Sequence, residues 1–264
     1  LAFPDNEEVS VMKKTIQKSI EKERIQKVLA SLGLGSRRQI EAWIAEGRIS
    51  VNGQIAKLGD TLSLRDTVSI DGQVVRRFEP KRKRVRILMY HKPEGEICTR
   101  RDPEARRTIF ESLPSLRNSR WIPVGRLDLN TSGLILLTTE GELAHRLMHP
   151  SFEIEREYAV RILGEVTPTM IKNLKKGVVV EGERYAFDEV EDAGGTGVNH
   201  WYKVVLREGK NREVRTLWES QGVKVSRLIR TRFGSVTLPR LLRPGKWRDL
   251  DVEEVRELVK QVGL

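Results

Sequence analysis

The sequence predicts an α+β protein with a mixed sheet, and two observations carry that expectation. From residue 85 onward, strand-like and helix-like stretches follow one another irregularly, not in the strict alternation of a doubly wound fold. Ahead of them, two helices and a few short strands make a compact module, set apart by a Pro-containing basic segment. The expected boundaries are an N-terminal extension over 1–20, the module over 21–75, a basic linker over 76–84 and a larger domain over 85–264. A chain of 264 residues can hold one sizeable core plus a small second domain.

In the module, Ile25, Val28, Leu29 and Leu32 recur at helical spacing, and Gly33 and Gly35 end that helix. Ser36 can cap a second helix with Ile40, Trp43 and Ile44 on its apolar face and Gly47 as its stop. Ile49-Ser50-Val51, the Asn52-Gly53 turn and Gln54-Ile55-Ala56 read as a hairpin. Val68-Ser69-Ile70 before Asp71-Gly72 reads as a further strand and turn. Arg37, Arg38, Arg48 and Lys57 would decorate the module's surface. The linker's Lys81, Arg82, Lys83 and Arg84 read either as solvated chain or as a segment lying along a phosphate backbone.

In the larger domain the strands are expected at 86–90, 134–138, 158–163, 202–206 and 223–233. The helices are expected at 141–148, 168–176, 212–221 and 251–262. No internal repeat is visible.

The formal charge of +11 points to a polyanion, with nucleic acid as the default partner and an anionic membrane surface or simple solubility as the alternatives. No apolar stretch is long enough to cross a membrane. Cys98 is the single cysteine, so no intrachain disulfide can form, and residues 1–20 lack the apolar core of a signal peptide. A cytoplasmic, monomeric protein is the expectation. His145 and His149 stand four apart, but Arg146 occupies the place of a metalloprotease Glu and no third ligand is in view. Gly194-Gly195-Thr196-Gly197 lacks the Lys of a phosphate loop and reads as a flexible turn, and Cys98 reads as a small buried hydrophobe. No metal, nucleotide or redox cofactor is expected.

Gly125-Arg126-Leu127-Asp128-Leu129-Asn130-Thr131-Ser132-Gly133 is the most informative run. It sets one carboxylate on a glycine-bracketed turn ahead of an apolar strand, beside an arginine. Three readings stand: a turn bonded to its own backbone, a calcium loop that lacks its closing Glu, or a nucleophilic or basic carboxylate aimed into a cleft.

Lys92-Pro93-Glu94-Gly95, Arg156-Glu157-Tyr158 and Glu208-Gly209-Lys210-Asn211-Arg212-Glu213-Val214-Arg215 accompany that run in order. Together they resemble the motif set of the RsuA/RluB-type pseudouridine synthases. Residues 90–100 and Val225-Ser226-Arg227-Leu228-Ile229-Arg230 are similar to the RluB branch, which acts on large-subunit ribosomal RNA. Residues 21–72 resemble the S-four-type alpha-L RNA-binding domain that precedes the catalytic domain in this family, and the likeness covers nearly all of 21–262.

The resemblance implies a pseudouridine-synthase domain with a mixed, mainly antiparallel sheet. It also implies a cofactor-free isomerisation: the ribose–uracil bond breaks, the ring turns, and a ring carbon rejoins the sugar. It makes Asp128 the essential carboxylate and Arg215 its ion partner. Arg126 would share the face of Asp128 if both stood on a strand, or would hold a phosphate or the flipped-out chain. Tyr158 is the active-site tyrosine that stacks on the base, Val214 packs against the base, and Lys92 counts among the RNA contacts. The target uridine must leave its stack or lie in an unpaired loop. The rival readings are a non-catalytic RNA-binding or ribosome-assembly protein, against which the joint presence of Asp128, Tyr158 and Arg215 argues, and the same chemistry on small-subunit RNA or a tRNA.

Overall fold

The computed structural model describes residues 22–63, 66–75, 85–100, 102–116, 119–196 and 199–264. The expected N-terminal extension and the linker cations Lys81, Arg82, Lys83 and Arg84 lie outside the described residues. Contacts divide the chain into two units, the second made of Val85–Ser115 and Trp121–Leu264.

In the first unit, strand β1 (Glu23–Arg24) leads into helix α1 (Ile25–Ser31), and α2 (Arg37–Ala45) follows. Ser36 caps α2 as its sequence predicts: its hydroxyl accepts the Gln39 N–H at 3.1 Å. Strands β2 (Ile49–Val51), β3 (Gln54–Ile55), β4 (Thr61–Leu62), β5 (Val68–Ile70) and β6 (Gln73–Val75) come next. They form an antiparallel sheet in the order β3-β2-β5-β6, while β4 pairs with β1. Asn52 and Gly53, at φ of 51° and 82°, give the hairpin the left-handed turn that matches strand twist. Ile25, Leu29, Ile40, Ile49 and Val68 share one core at 0% exposure, each fully buried side chain being worth about 1.5–3 kcal/mol.

The second unit is built on one sheet. Its strands are β7 (Ile87–Lys92), β8 (Ile122–Pro123), β9 (Ser132–Thr138), β10 (Arg156–Leu163), β13 (Glu189–Thr196), β14 (Asn199–Leu206), β15 (Lys224–Phe233), β16 (Val236–Thr237) and β17 (Trp247–Asp249); β11 (Val178–Val180) and β12 (Glu183–Tyr185) form a separate hairpin. The strand order is β13-β14-β10-β15-β9-β7-β17, with β8 on β9 and β16 on β15. Among the described strand pairs of this sheet only β15–β9 is parallel, so the sheet is mixed and mainly antiparallel.

Every residue of β9 is buried, as its unbroken apolar run predicts for a strand covered on both faces. Helices α3 (Gly141–Met148) and α6 (Val252–Gln261) pack Leu143, Leu147 and Leu258 against Met89, Leu134 and Leu136 on one side of the sheet. Helix α4 (Pro168–Lys176) starts and stops where the sequence predicts, and α5 (Glu213–Glu219) seats Trp218 against Tyr202 and Phe187 at centroid distances of 5.0 and 6.0 Å.

Two local features govern what the sheet presents. Gly133 sits at φ 109° opposite Arg230, where any Cβ would overlap the Arg230 backbone; only glycine lets β9 approach β15 there. Strand β15 carries register shifts against β10 near Ser226 and Thr231. The buried residues of β15 therefore fall at Val225, Leu228, Arg230 and Phe233, with steps of three across each irregularity instead of the usual two.

The structure corrects several details. Arg126 and Asp128 lie on an irregular segment before β9, not on a strand. The helix expected from 212 starts at Glu213, after Arg212 in a left-handed conformation at φ 52°. Gly194 and Gly195 belong to β13 at an irregularity in its pairing with β14, not to a free turn. Strands β13 and β17 and the β11–β12 hairpin had no counterpart in the sequence expectation.

Candidate active site

A cleft of about 570 Å³ opens in the second unit. Asp128 and Thr131 line it from the turn before β9, Arg156 and Tyr158 from β10, residues 208–214 from the loop into α5, and Leu228, Arg230 and Phe233 from β15. On β10 the buried residues alternate, so Arg156 and Tyr158, two apart, share the face that looks into the cleft.

The turn carrying Asp128 is held through its backbone. Lys92, at 0% exposure, donates from Nζ to the carbonyls of Pro93, Asp128 and Thr131 at 3.0, 3.0 and 2.8 Å. These carbonyls satisfy an ammonium that would otherwise be stranded away from water. Burial pulls the Lys92 pKa down, opposed by Cys98, Glu96 and Asp128. Arg215 donates from Nη2 to the Asn130 carbonyl at 2.8 Å and from Nη1 to the Val225 carbonyl at 3.0 Å, tying the same turn to the start of β15. The Gly95 N–H adds a bond to the Leu129 carbonyl at 2.9 Å, and Cys98 Sγ stands 3.4 Å from both Leu127 N and Leu127 O. The turn itself closes through the Thr131 N–H on the Asp128 carbonyl at 3.1 Å.

These contacts revise two expectations. Lys92 is not an RNA contact, because it is fully buried and spent on backbone carbonyls. Arg215 makes no ion pair with Asp128 among the described residues and does not line the cleft. Burial pulls its pKa down, Arg212 adds to that, and the Asp128 charge opposes both. Arg215 therefore steadies Asp128 through the Asn130 carbonyl and at longer range through its charge.

The remaining predicted residues separate into two groups. Half-buried Asp128, Tyr158 at 8% exposure, buried Val214 and exposed Arg126 all line the cleft. Arg37, Arg38, Arg48 and Lys57 are exposed on the first unit. Arg48 is tied to Asp71 at 2.7 Å, while Arg37, Arg38 and Lys57 have no ion pair among the described residues. His145 and His149 meet edge-on at 5.6 Å, and His149 Nδ1 lies 2.8 Å from the Ser151 hydroxyl, which is a packing arrangement.

Three buried charged residues of the cleft were missed. Arg156 is 7% exposed and donates to the Ile154 and Arg207 carbonyls at 2.9 and 2.6 Å; Arg230 is 2% exposed and donates from Nε to the Leu134 carbonyl at 2.7 Å. Both guanidinium groups lie 5.3 Å from the Phe233 centroid, a cation–π arrangement in the wall. Arg156 could have been found, since it stands two residues before Tyr158 on a strand. Glu213, 3% exposed, could not: a Glu opening a helix reads as a solvated first-turn carboxylate. Burial first, then the Glu208 charge, push it up to about 7.

Comparison with known proteins follows the same division of the chain. A family model described as RNA pseudouridylate synthase matches residues 86–220, and one described as S4 domain matches residues 23–68. Curated relatives called "Ribosomal large subunit pseudouridine synthase B" include those of Pseudomonas aeruginosa (56% identical, covering 92% of this chain and 63% of that protein), Pasteurella multocida (56%, 93% and 72%) and Escherichia coli K12 (54%, 90% and 84%). The chain thus spans under two thirds of the Pseudomonas protein's length. A solved structure titled "Crystal structure of pseudouridylate synthase" superposes with a TM-score of 0.64 at 26% identity, covering 90% of this chain and all of that one. On these matches the chain belongs to the RNA pseudouridylate synthase family, with an S4 domain ahead of the synthase domain.

Proposed function

We propose that the protein isomerises one uridine of large-subunit ribosomal RNA to pseudouridine, with Asp128 as the essential carboxylate. The observation that carries this reading is convergence: Asp128 from a clamped turn and Tyr158 from β10 line one cleft whose walls also hold Arg126, Arg156 and Arg230. In the reaction the C1′–N1 bond breaks, the freed uracil turns, C1′ bonds to C5, and the C5 proton leaves while N1 gains one. Atoms and electrons balance within the nucleoside, so the chemistry calls for no cofactor.

In this reading Asp128 acts on the ribose, and the Tyr158 ring stacks on the base with its hydroxyl available for the C5 proton. Val214 packs on the base, and Arg215 holds the Asp128 turn through Asn130. Arg126, exposed at the rim, takes a phosphate of the flipped-out strand. Residues 21–75 form the RNA-binding module, with Arg37, Arg38 and Lys57 on phosphates, and 85–264 form the catalytic domain joined by the basic linker. The protein works as a monomer in the cytoplasm, where its substrate is assembled.

The test is incubation of unmodified large-subunit RNA with wild type and Asp128→Asn, followed by carbodiimide-dependent mapping of reverse-transcription stops. One new stop with wild type alone is expected. Tight binding with no stop on naked RNA or on assembly intermediates would identify a non-catalytic RNA-binding protein instead.

A further inference from the structure

Glu213 is an unusual group to find in the wall of an RNA-binding cleft. Its Oε2 accepts the Lys210 N–H at 3.0 Å, while its buried Oε1 has no donor among the described residues. An ionised carboxylate with an empty, desolvated acceptor is costly. The Glu208 carboxyl lies within hydrogen-bonding reach, and both residues line the cleft. Two ionised carboxylates cannot bond to each other. One proton turns the same contact into a charge-assisted O–H···O bond.

The other charged or titratable groups around Glu213 have partners of their own. They are Lys210 from the loop, Arg156 from β10 and the Tyr185 hydroxyl from β12. Lys210 is paired with Glu208 at 3.2 Å and sits 4.8 Å from the Tyr185 centroid. Arg156 Nη1 is engaged with the Ile154 and Arg207 carbonyls, and the Tyr185 hydroxyl donates to Glu183 at 3.2 Å. Between Glu208 and Glu213 the chain passes through Arg212 at φ 52°, a conformation that needs a tie to persist.

We propose that Glu213 is a positioning residue that carries a proton in the resting protein, and that its bond to Glu208 ties down the 208–212 loop as one wall of the cleft. The inference rests on the reading of this cleft as the uridine site. Because burial and Glu208 push Glu213 up to about 7, the tie is complete in mild acid and fails as pH climbs through neutrality. The proton passes to solvent, two carboxylates then face each other, and the loop leaves its closed position. RNA meets a cleft whose competent form is a shrinking fraction of the population.

The test is a carbon-13 carboxyl titration of the full-length protein labelled at glutamate, with the Glu213 resonance assigned by its loss in E213Q. A midpoint near neutrality is expected, falling in E208Q, where the neighbouring charge is gone. A Glu213 midpoint in the usual carboxylate range, or one that E208Q leaves in place, overturns the proposal. In parallel, KM for the RNA substrate is measured at pH 6.0 and 8.5. The wild-type value rises by about tenfold. In E213Q, whose amide can donate to Glu208 and accept from Lys210 at either pH, the ratio stays within about twofold. A ratio in E213Q equal to the wild type's also overturns it. If no pseudouridine forms at any pH while the carboxyl titrates near neutrality, the proton tie stands and the assignment of the cleft to uridine is what fails.

Discussion

The Asp128 turn and the 208–212 loop line the same cleft but are held by different chemistry. The turn is fixed by cations reaching backbone carbonyls: Lys92 on three of them and Arg215 on Asn130 and Val225. The loop is fixed by side-chain carboxylates, with Glu208 on Lys210 and Glu213 on the Lys210 N–H. A carbonyl has no titration near neutrality, whereas a buried carboxyl does. On the proposed reading, the wall that carries Asp128 is thus built to ignore its surroundings, and the wall of Glu208 and Glu213 is built from groups that respond to them.

The largest effect that would break this comparison is at Asp128 itself. Asp128→Asn is expected to lower single-turnover pseudouridine formation by at least about 10³-fold with RNA affinity and melting temperature little changed, as read by rapid quench, filter binding and calorimetry. Lys92→Met comes next, because it takes the donor from three backbone carbonyls at once. A loss of about 3 kcal/mol is expected in urea unfolding, with activity falling alongside, since the turn loses its anchor. Little loss would mean that the turn is held elsewhere.

Arg215→Lys sharpens the comparison without removing the charge. One ammonium cannot span the Asn130 and Val225 carbonyls as the guanidinium fork does. The expected result is a kcat about 10²-fold lower with KM within about twofold, the pattern of a misplaced reacting group. Arg126→Ala, on the exposed rim, should do the reverse: KM rises several-fold, kcat holds, and the salt slope of binding falls by about one.

A further expected effect is on stability. A carboxyl whose folded pKa is raised contributes stability that is complete below the unfolded value and lost as pH rises through the folded one. For Glu213 that window runs from 4.5 to about 7. Urea unfolding of the wild type should weaken across it, and that of E213Q should not.

The sequence made the elements legible where one periodicity ruled. Helices α3 and α4 and the cap at Ser36 lie where spacing and capping residues put them. The all-buried β9 was equally plain from its apolar run. What could not be read depends on contacts between distant segments. Phe233 joins the cleft only because β15 slips near Thr231, and no residue of that strand announces the slip. Lys92 looked like a cation for RNA because a sequence shows charge but not burial. Arg215 looked like an ion partner for Asp128, yet its fork is taken by carbonyls. Tyr158, Val214 and Asp128, by contrast, line one cleft.

The most direct test of the central claim follows the hydrogen on C5. Large-subunit RNA labelled with tritium at C5 of uridine is bound to excess enzyme and the released label is counted. Wild type should release one equivalent per RNA, and Asp128→Asn, bound equally well, should release none. Release by Asp128→Asn at the wild-type rate, or none from the wild-type complex, would contradict the account.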